Sequence, residues 1–96
     1  MPYIKWSENS LQGIQKVYNF LLEHDLEAAK AAIRTIKTKA NILRQFPNAG
    51  RPTEYLEPEH RELLIPLGAS GYILVYEVYA EYILILAVKH MKEAGY

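Results

Sequence analysis

Near the end of this 96-residue chain, Lys89-His90-Met91-Lys92-Glu93 places two cations and an imidazole in one short segment, close in sequence to Tyr96. Metal-free cleavage of RNA needs a base for the 2′-hydroxyl, an acid for the leaving oxygen and cations for the charge on the phosphorane. Lys, His, Arg and Tyr can fill those roles, so the cluster is compatible with a ribonuclease. Strand ends commonly carry such residues into solvent without any catalytic role. A second group, Glu59-His60-Arg61-Glu62, gathers metal-capable side chains, but the intervening cation and the loop context disfavour a metal. The chain has no Cys, which excludes thiolate zinc sites, disulfides and a thiol nucleophile.

Other familiar chemistry is missing. There is no phosphate-cradling glycine loop with Lys and Ser, no dinucleotide fingerprint and no nucleophile elbow. Ser70 lies in Gly68-Ala69-Ser70-Gly71, a turn sequence without the elbow spacing. No cofactor and no metal is expected. Eleven Lys and Arg balance eleven Asp and Glu, which argues against binding nucleic acid through phosphate contacts alone. The balance is uneven along the chain, however. Between Ala28 and Thr53 stand six cations, Lys30, Arg34, Lys37, Lys39, Arg44 and Arg51, and no acid. Lys30, Arg34, Lys37 and Arg44 fall roughly on one helical face. That face is either a solvated surface or a landing strip for nucleic acid or an acidic peptide.

The elements that would position these groups follow from periodicity. Tyr3-Ile4-Lys5-Trp6 alternates as a short strand with Ile4 and Trp6 on one face. Ser7 reads as an N-cap with Glu8 in the first turn. Leu11, Ile14, Tyr18, Leu21 and Leu22 then mark a helix with one buried face. Asp25 caps a second helix whose stripe is Ala29, Ile33, Ile36, Ala40 and Leu43, ending before Pro47. Pro47-Asn48-Ala49-Gly50-Arg51-Pro52 is a loop, continued from Glu54 to His60 with Glu54, Glu57, Glu59 and Glu62 close together. Arg61, Leu63 and Ile65 then alternate with Glu62 and Leu64, and Pro66 limits that strand. Tyr72–Tyr79 and Tyr82–Val88, linked by Ala80-Glu81, form a hairpin.

One 1–96 domain of α+β class results: an antiparallel β-sheet packed against an N-terminal two-helix hairpin, in the order β-α-α-β-β-β. The core is expected to hold Trp6, Ile33, Ile36, Leu43, Leu74, Tyr76 and Leu84, and Gly50 to supply a backbone conformation closed to other residues. The last two strands are apolar on both faces, so the second face calls for a cover, which a partner chain could supply. Glu77 and Glu81 interrupt the apolar stretch and exclude a membrane span there. The opening residues show no leader pattern, and a cytoplasmic protein is expected.

In this order, several segments resemble one family. Trp6, the helical hairpin, Leu43-x-x-x-Pro47-x-x-Gly50-Arg51, Arg61-x-Leu63, Gly71-Tyr72-Ile73-Leu74-Val75-Tyr76-Glu77-Val78 and Ile83-Leu84-Ile85-Leu86-Ala87-Val88-Lys89-His90 are similar to the RelE/ParE toxins of bacterial type II toxin–antitoxin modules. The resemblance covers nearly the whole chain. It implies a cognate antitoxin as partner and one of two activities. RelE-like members cut messenger RNA on the ribosome, whereas ParE-like members poison DNA gyrase.

RelE-like enzymes typically carry Arg directly after the first Tyr of the Tyr-x-x-x-Tyr strand and a second Arg near the end of the last strand. Here those places hold Ile73 and Lys89-His90-Met91-Lys92. Lys supplies charge without the bidentate fork of Arg. The Pro-x-x-Gly-Arg loop and the last-strand His fit the ParE-like side, which implies a non-enzymatic gyrase poison with no catalytic residue. The alternatives are a ribosome-dependent endoribonuclease built from Arg61, Lys89, His90 and Lys92, and an inactive antitoxin binder. Partner contacts are expected at Lys30, Arg34, Lys37, Arg44, Arg51, Arg61, Tyr72, Tyr76 and His90. An antitoxin segment is expected to wrap the hairpin and sheet, ordering as it binds. Arg51 and Arg61 could instead pair with acids of the 54–62 region.

Overall fold

The computed structural model describes residues 2–53, 59–68 and 70–92. Expectations placed on Glu54, Glu57, Glu93 and Tyr96 lie outside them. Strand β1 (Tyr3–Trp6) is followed by helices α1 (Glu8–Leu22) and α2 (Leu26–Ile42), then by β2 (Arg51–Pro52), β3 (His60–Leu67), β4 (Ser70–Val78) and β5 (Tyr82–His90). Both helices begin as their capping residues dictate. The Ser7 side chain accepts the Ser10 amide, and the Asp25 carboxylate accepts the amides of Glu27 and Ala28. These bonds satisfy donors that the first helical turn leaves without partners.

The strands form one sheet in the order β1-β5-β4-β3-β2. Among the described residues three of its four pairings are antiparallel, and β1 joins β5 in parallel. The sheet is therefore mixed, with the expected order of elements and one added two-residue strand in the Pro47–Pro52 segment. The parallel pairing arises because the helical hairpin carries the chain from one sheet edge to the other, leaving β1 to receive the last strand. Nothing local signals such a pairing.

Ile4 and Trp6 pack against the main core, which holds Val17, Ile36, Leu43, Leu74, Tyr76, Ile83 and Ile85 between helices and sheet. The α2 stripe lies as its spacing requires, with Ala29, Ile36, Ala40 and Leu43 buried. The α1 face is rotated from expectation. Leu11 and Leu22 are 53% and 42% exposed, while Ser10 and Val17 are buried. Gly13 explains the rotation: a Cβ there would stand 2.5 Å from the Val88 carbonyl oxygen, so α1 lies directly against β5 along the Ser10–Gly13–Val17 line.

A β-bulge decides the faces of β5. Val75 pairs with Ala87 and Tyr76 with Ile85, so Leu86 is the extra residue. Its carbonyl accepts bonds of 3.1 Å from both the Ser7 hydroxyl and the Asn9 amide. The α1 N-terminus thus satisfies the acceptor that the bulge frees. Ile83, Ile85 and Val88 face the helices. Leu84, expected in the core, pairs with Lys5 and Glu77 and is only half-buried on the other face.

That second face is also less open than its apolar pattern suggested. Ile73, Val75 and Ala87 are buried within the chain, packed with Leu86 and Met91. The long Leu and Met side chains roof their shorter neighbours. At the start of β5 runs a row of stacked rings, Tyr3 on Tyr82 and Tyr82 on Tyr79. Among the described residues no helix is long and apolar enough to cross a membrane.

Candidate functional site

Where α1 crosses the end of β5, a cleft of about 380 Å³ opens between helix and sheet. From α1 come Gly13, Lys16, Val17 and Phe20, whose spacing of three, four and seven residues puts them on one stripe. The sheet contributes Tyr72, Val88 and His90, and Lys92 follows from the turn after β5. Val17, Tyr72 and Val88 form a buried floor. The Phe20 ring is 61% exposed, and Lys16 and Lys92 are exposed cations around it.

His90 is fixed by bonds at both ring nitrogens. The Lys92 backbone N–H donates to Nδ1 at 3.1 Å. An amide can only donate, so Nδ1 accepts and the proton of the neutral ring sits on Nε2. Nε2–H in turn donates to the Ser70 hydroxyl at 2.9 Å. The Tyr72 ring meets the imidazole edge-on with centroids 5.4 Å apart. A Ser–His pair in this tautomer cannot activate the serine, because the nitrogen that would take its proton already holds one. Burial pushes the Tyr72 phenol above its ordinary range, so it stays neutral near pH 7.

Of the four residues of the ribonuclease alternative, the cleft brings together only His90 and Lys92. Arg61 sits opposite Tyr76 and His90 opposite Tyr72, on either side of β4. Those tyrosines are separated by four residues, or about 13 Å of strand. Lys89 pairs with Ile73 and projects to the face away from His90.

Arg61 belongs to a second assembly. Its Nη1 donates to the Gly50 carbonyl at 2.6 Å, while Arg51 Nε meets Glu62 Oε1 at 2.7 Å. The Gly50 amide donates to the Tyr76 hydroxyl at 2.9 Å, which donates to the Pro47 carbonyl at 2.8 Å. Together these bonds clamp the Pro47–Arg51 segment onto the sheet. Of the two expected acid partners, Arg51 has one in Glu62, whereas Arg61 takes a carbonyl. Gly50 is required for space and not for its conformation. Among the described residues only Gly68 has a positive φ, and a Cβ on Gly50 would stand 2.6 Å from the Glu62 carbonyl oxygen. Tyr76 is fully buried and offers a partner no surface in this conformation.

The remaining expected contacts lie apart from the cleft. Lys30, Arg34 and Lys37 are exposed along α2. Arg44, also exposed, donates from Nε to the Pro2 carbonyl at 3.2 Å. His60 and Glu62 do not converge as metal ligands: His60 Nε2 lies 3.0 Å from Glu77, and Glu62 pairs with Arg51.

The family model described as "ParE toxin of type II toxin-antitoxin system, parDE" matches residues 4–95. The chain belongs to the ParE toxin family. It is 30% identical over 93 residues to Toxin RelE3 of Caulobacter vibrioides, spanning 97% of this chain and 98% of that one. A solved structure titled "Chromosomal ParDE TA system from P. aeruginosa" superposes with a TM-score of 0.77 at 26% identity, covering 94% of this chain and 96% of its own. The protein is thus a toxin of a type II toxin–antitoxin module in the wider RelE/ParE superfamily, and a cognate antitoxin is its implied partner.

Sequence reasoning missed Lys16, Phe20 and the Ser70–His90 bond. The first two were legible only as half of a stripe: Gly13, Lys16, Val17 and Phe20 share one helical face, but nothing in α1 announces that β5 lies beneath it.

Proposed function

We propose that this ParE-family toxin acts by binding and poisoning DNA gyrase in the cytoplasm, without a catalytic residue of its own. The observation that carries the reading is the separation of Arg61 and Lys89 from His90 and Lys92. Phosphoryl chemistry of the RelE kind needs base, acid and cations converging on one phosphate. Here Arg61 is committed to the Gly50 carbonyl, Lys89 points to the opposite face, and His90 presents a protonated nitrogen to Ser70. Ile73, where a RelE-like enzyme would carry Arg, is fully buried among apolar neighbours.

The test uses antitoxin-free folded toxin in two assays. In a defined translation reaction the reporter mRNA should remain intact. In a gyrase reaction, supercoiling should fall with toxin concentration. Discrete mRNA ends on ribosomes, abolished by replacing His90 and Lys92, would establish the ribonuclease reading instead. Intact mRNA together with undisturbed supercoiling would leave a binder of antitoxin alone.

A further inference from the structure

Helix α2 carries its cations in a line. Lys30, Arg34, Lys37 and Asn41 follow one another at steps of four, three and four residues, within about 30° of one line along the helix, and Arg44 continues it in the turn just past Ile42. All five are exposed. A helix face that serves only to be solvated typically intersperses acids at such steps, because unlike charges one turn apart attract and like charges repel. Arg34 instead has a cation one turn away on either side. Among the described residues Lys30, Arg34 and Lys37 have no ion-pair partner. The Arg44 Nε donates to the Pro2 carbonyl, which orients the guanidinium and leaves its charge unneutralised. The only acid of α2, Glu27, stands in its first turn, so the positive potential lies toward the other end.

We infer that this line is a contact for the phosphate backbone of duplex DNA. From Lys30 to Arg44 it spans about 21 Å, over which one strand of a duplex presents about six phosphates to the four cations. Lys and Arg are side chains that take phosphate oxygens, and the Asn41 amide adds a neutral donor on the same line. An acidic peptide fits less well. A segment that orders on binding needs apolar burial to offset the entropy it loses, and the line offers none between Lys30 and Arg44. Exposed Leu26 lies a turn before it, and exposed Ile42 lies about 120° around the helix. A rigid duplex has no such ordering cost. Four cations in a chain of zero net charge make an auxiliary contact, one that positions the toxin without reading sequence. The choice of DNA over RNA rests on the gyrase reading, since that target works on duplex DNA, but the contact itself is measured without gyrase.

Fluorescence anisotropy of a labelled DNA duplex, long enough for the whole line and titrated with the full chain, tests it. Binding is expected by about 10⁻⁴ M toxin at low salt, with a log–log slope against salt of about −3.6 for four phosphates. Lys30→Gln, Arg34→Gln and Lys37→Gln combined should reduce that slope to about −0.9, the contact left being Arg44. The urea midpoint of this variant should stay at or above that of the wild type, because like charges have been removed. Lys5→Gln with Lys39→Gln removes one exposed cation of the sheet and one on the far side of α2, and should leave the slope unchanged. The proposal is overturned if the duplex is not bound at that concentration, if the triple variant binds as the wild type does, or if the control pair lowers the slope as much. A labelled polyglutamate peptide or RNA duplex bound more tightly than the DNA would overturn it too. Gyrase inhibition is scored separately. DNA binding with undisturbed supercoiling sinks the gyrase reading alone, and inhibition without DNA binding sinks this one.

Discussion

The Tyr76 hydroxyl and the Gly50 amide nitrogen are 2.9 Å apart, joining the middle of β4 to a loop 26 residues earlier in the chain. The same hydroxyl donates to the Pro47 carbonyl at 2.8 Å. One buried oxygen therefore serves a donor and an acceptor of a segment that has no secondary structure of its own before Arg51.

Removing that oxygen should loosen the loop. Tyr76→Phe preserves the ring but strands the Gly50 N–H, at a cost of about 1–3 kcal/mol. A lower urea midpoint with faster exchange of the Gly50 amide is the expected result. An unchanged midpoint would mean that Arg61, the Arg51–Glu62 pair and the β2–β3 pairing hold the segment without that oxygen.

The fold should also weaken in alkali. Burial pushes the Tyr76 phenol above its ordinary value of 10.0, against the opposing pull of the Gly50 hydrogen bond and the Arg61 charge. Burial raises Tyr72 as well. Because the folded state holds these protons more tightly, their contribution is intact below the unfolded value of 10.0. It is lost as pH rises through the higher folded values. Urea midpoints at pH about 8 and about 11 should differ for the wild type, and by less for Tyr76→Phe.

His90 should carry its neutral-state proton on Nε2. Long-range 1H–15N correlation of the imidazole reads the tautomer directly. Ser70→Ala should leave it unchanged, because the Lys92 N–H alone makes Nδ1 an acceptor. A ring protonated at Nδ1 would free Nε2 as a base and revive the ribonuclease assignment.

Installing the missing arginine should not create an enzyme. Ile73 is fully buried with Val75 and Ala87, so Ile73→Arg places an uncompensated charge in an apolar cluster, at about 3–5 kcal/mol. The variant is expected to unfold at much lower urea or fail to accumulate. A wild-type midpoint would show that the cluster opens to solvent at little cost, and gain of mRNA cleavage would contradict the binding mechanism.

By itself the sequence determined everything whose hydrogen bonds close within a few residues. Ser7 and Asp25 cap helices because their acceptors reach amides two or three positions on, and α2 buries Ala29, Ile36, Ala40 and Leu43 because that period of apolar residues has one helical solution. Strand identity in β4 and β5 was legible from their β-branched and aromatic residues, although their hydrogen bonds close only across strands. Tertiary structure decided the rest. Whether Leu84 or Ile85 enters the core depends on a single skipped residue opposite β4, and the parallel seat of β1 depends on strands nearly eighty residues apart. The cleft is the sharpest case. His90 and Lys92 were visible at once, but the wall that makes them a site comes from Gly13, Lys16, Val17 and Phe20, brought there because only a glycine lets α1 come so close to the Val88 carbonyl. Local propensity acts through neighbours in sequence, whereas a site needs neighbours in space, and their positions follow from packing the whole chain at once.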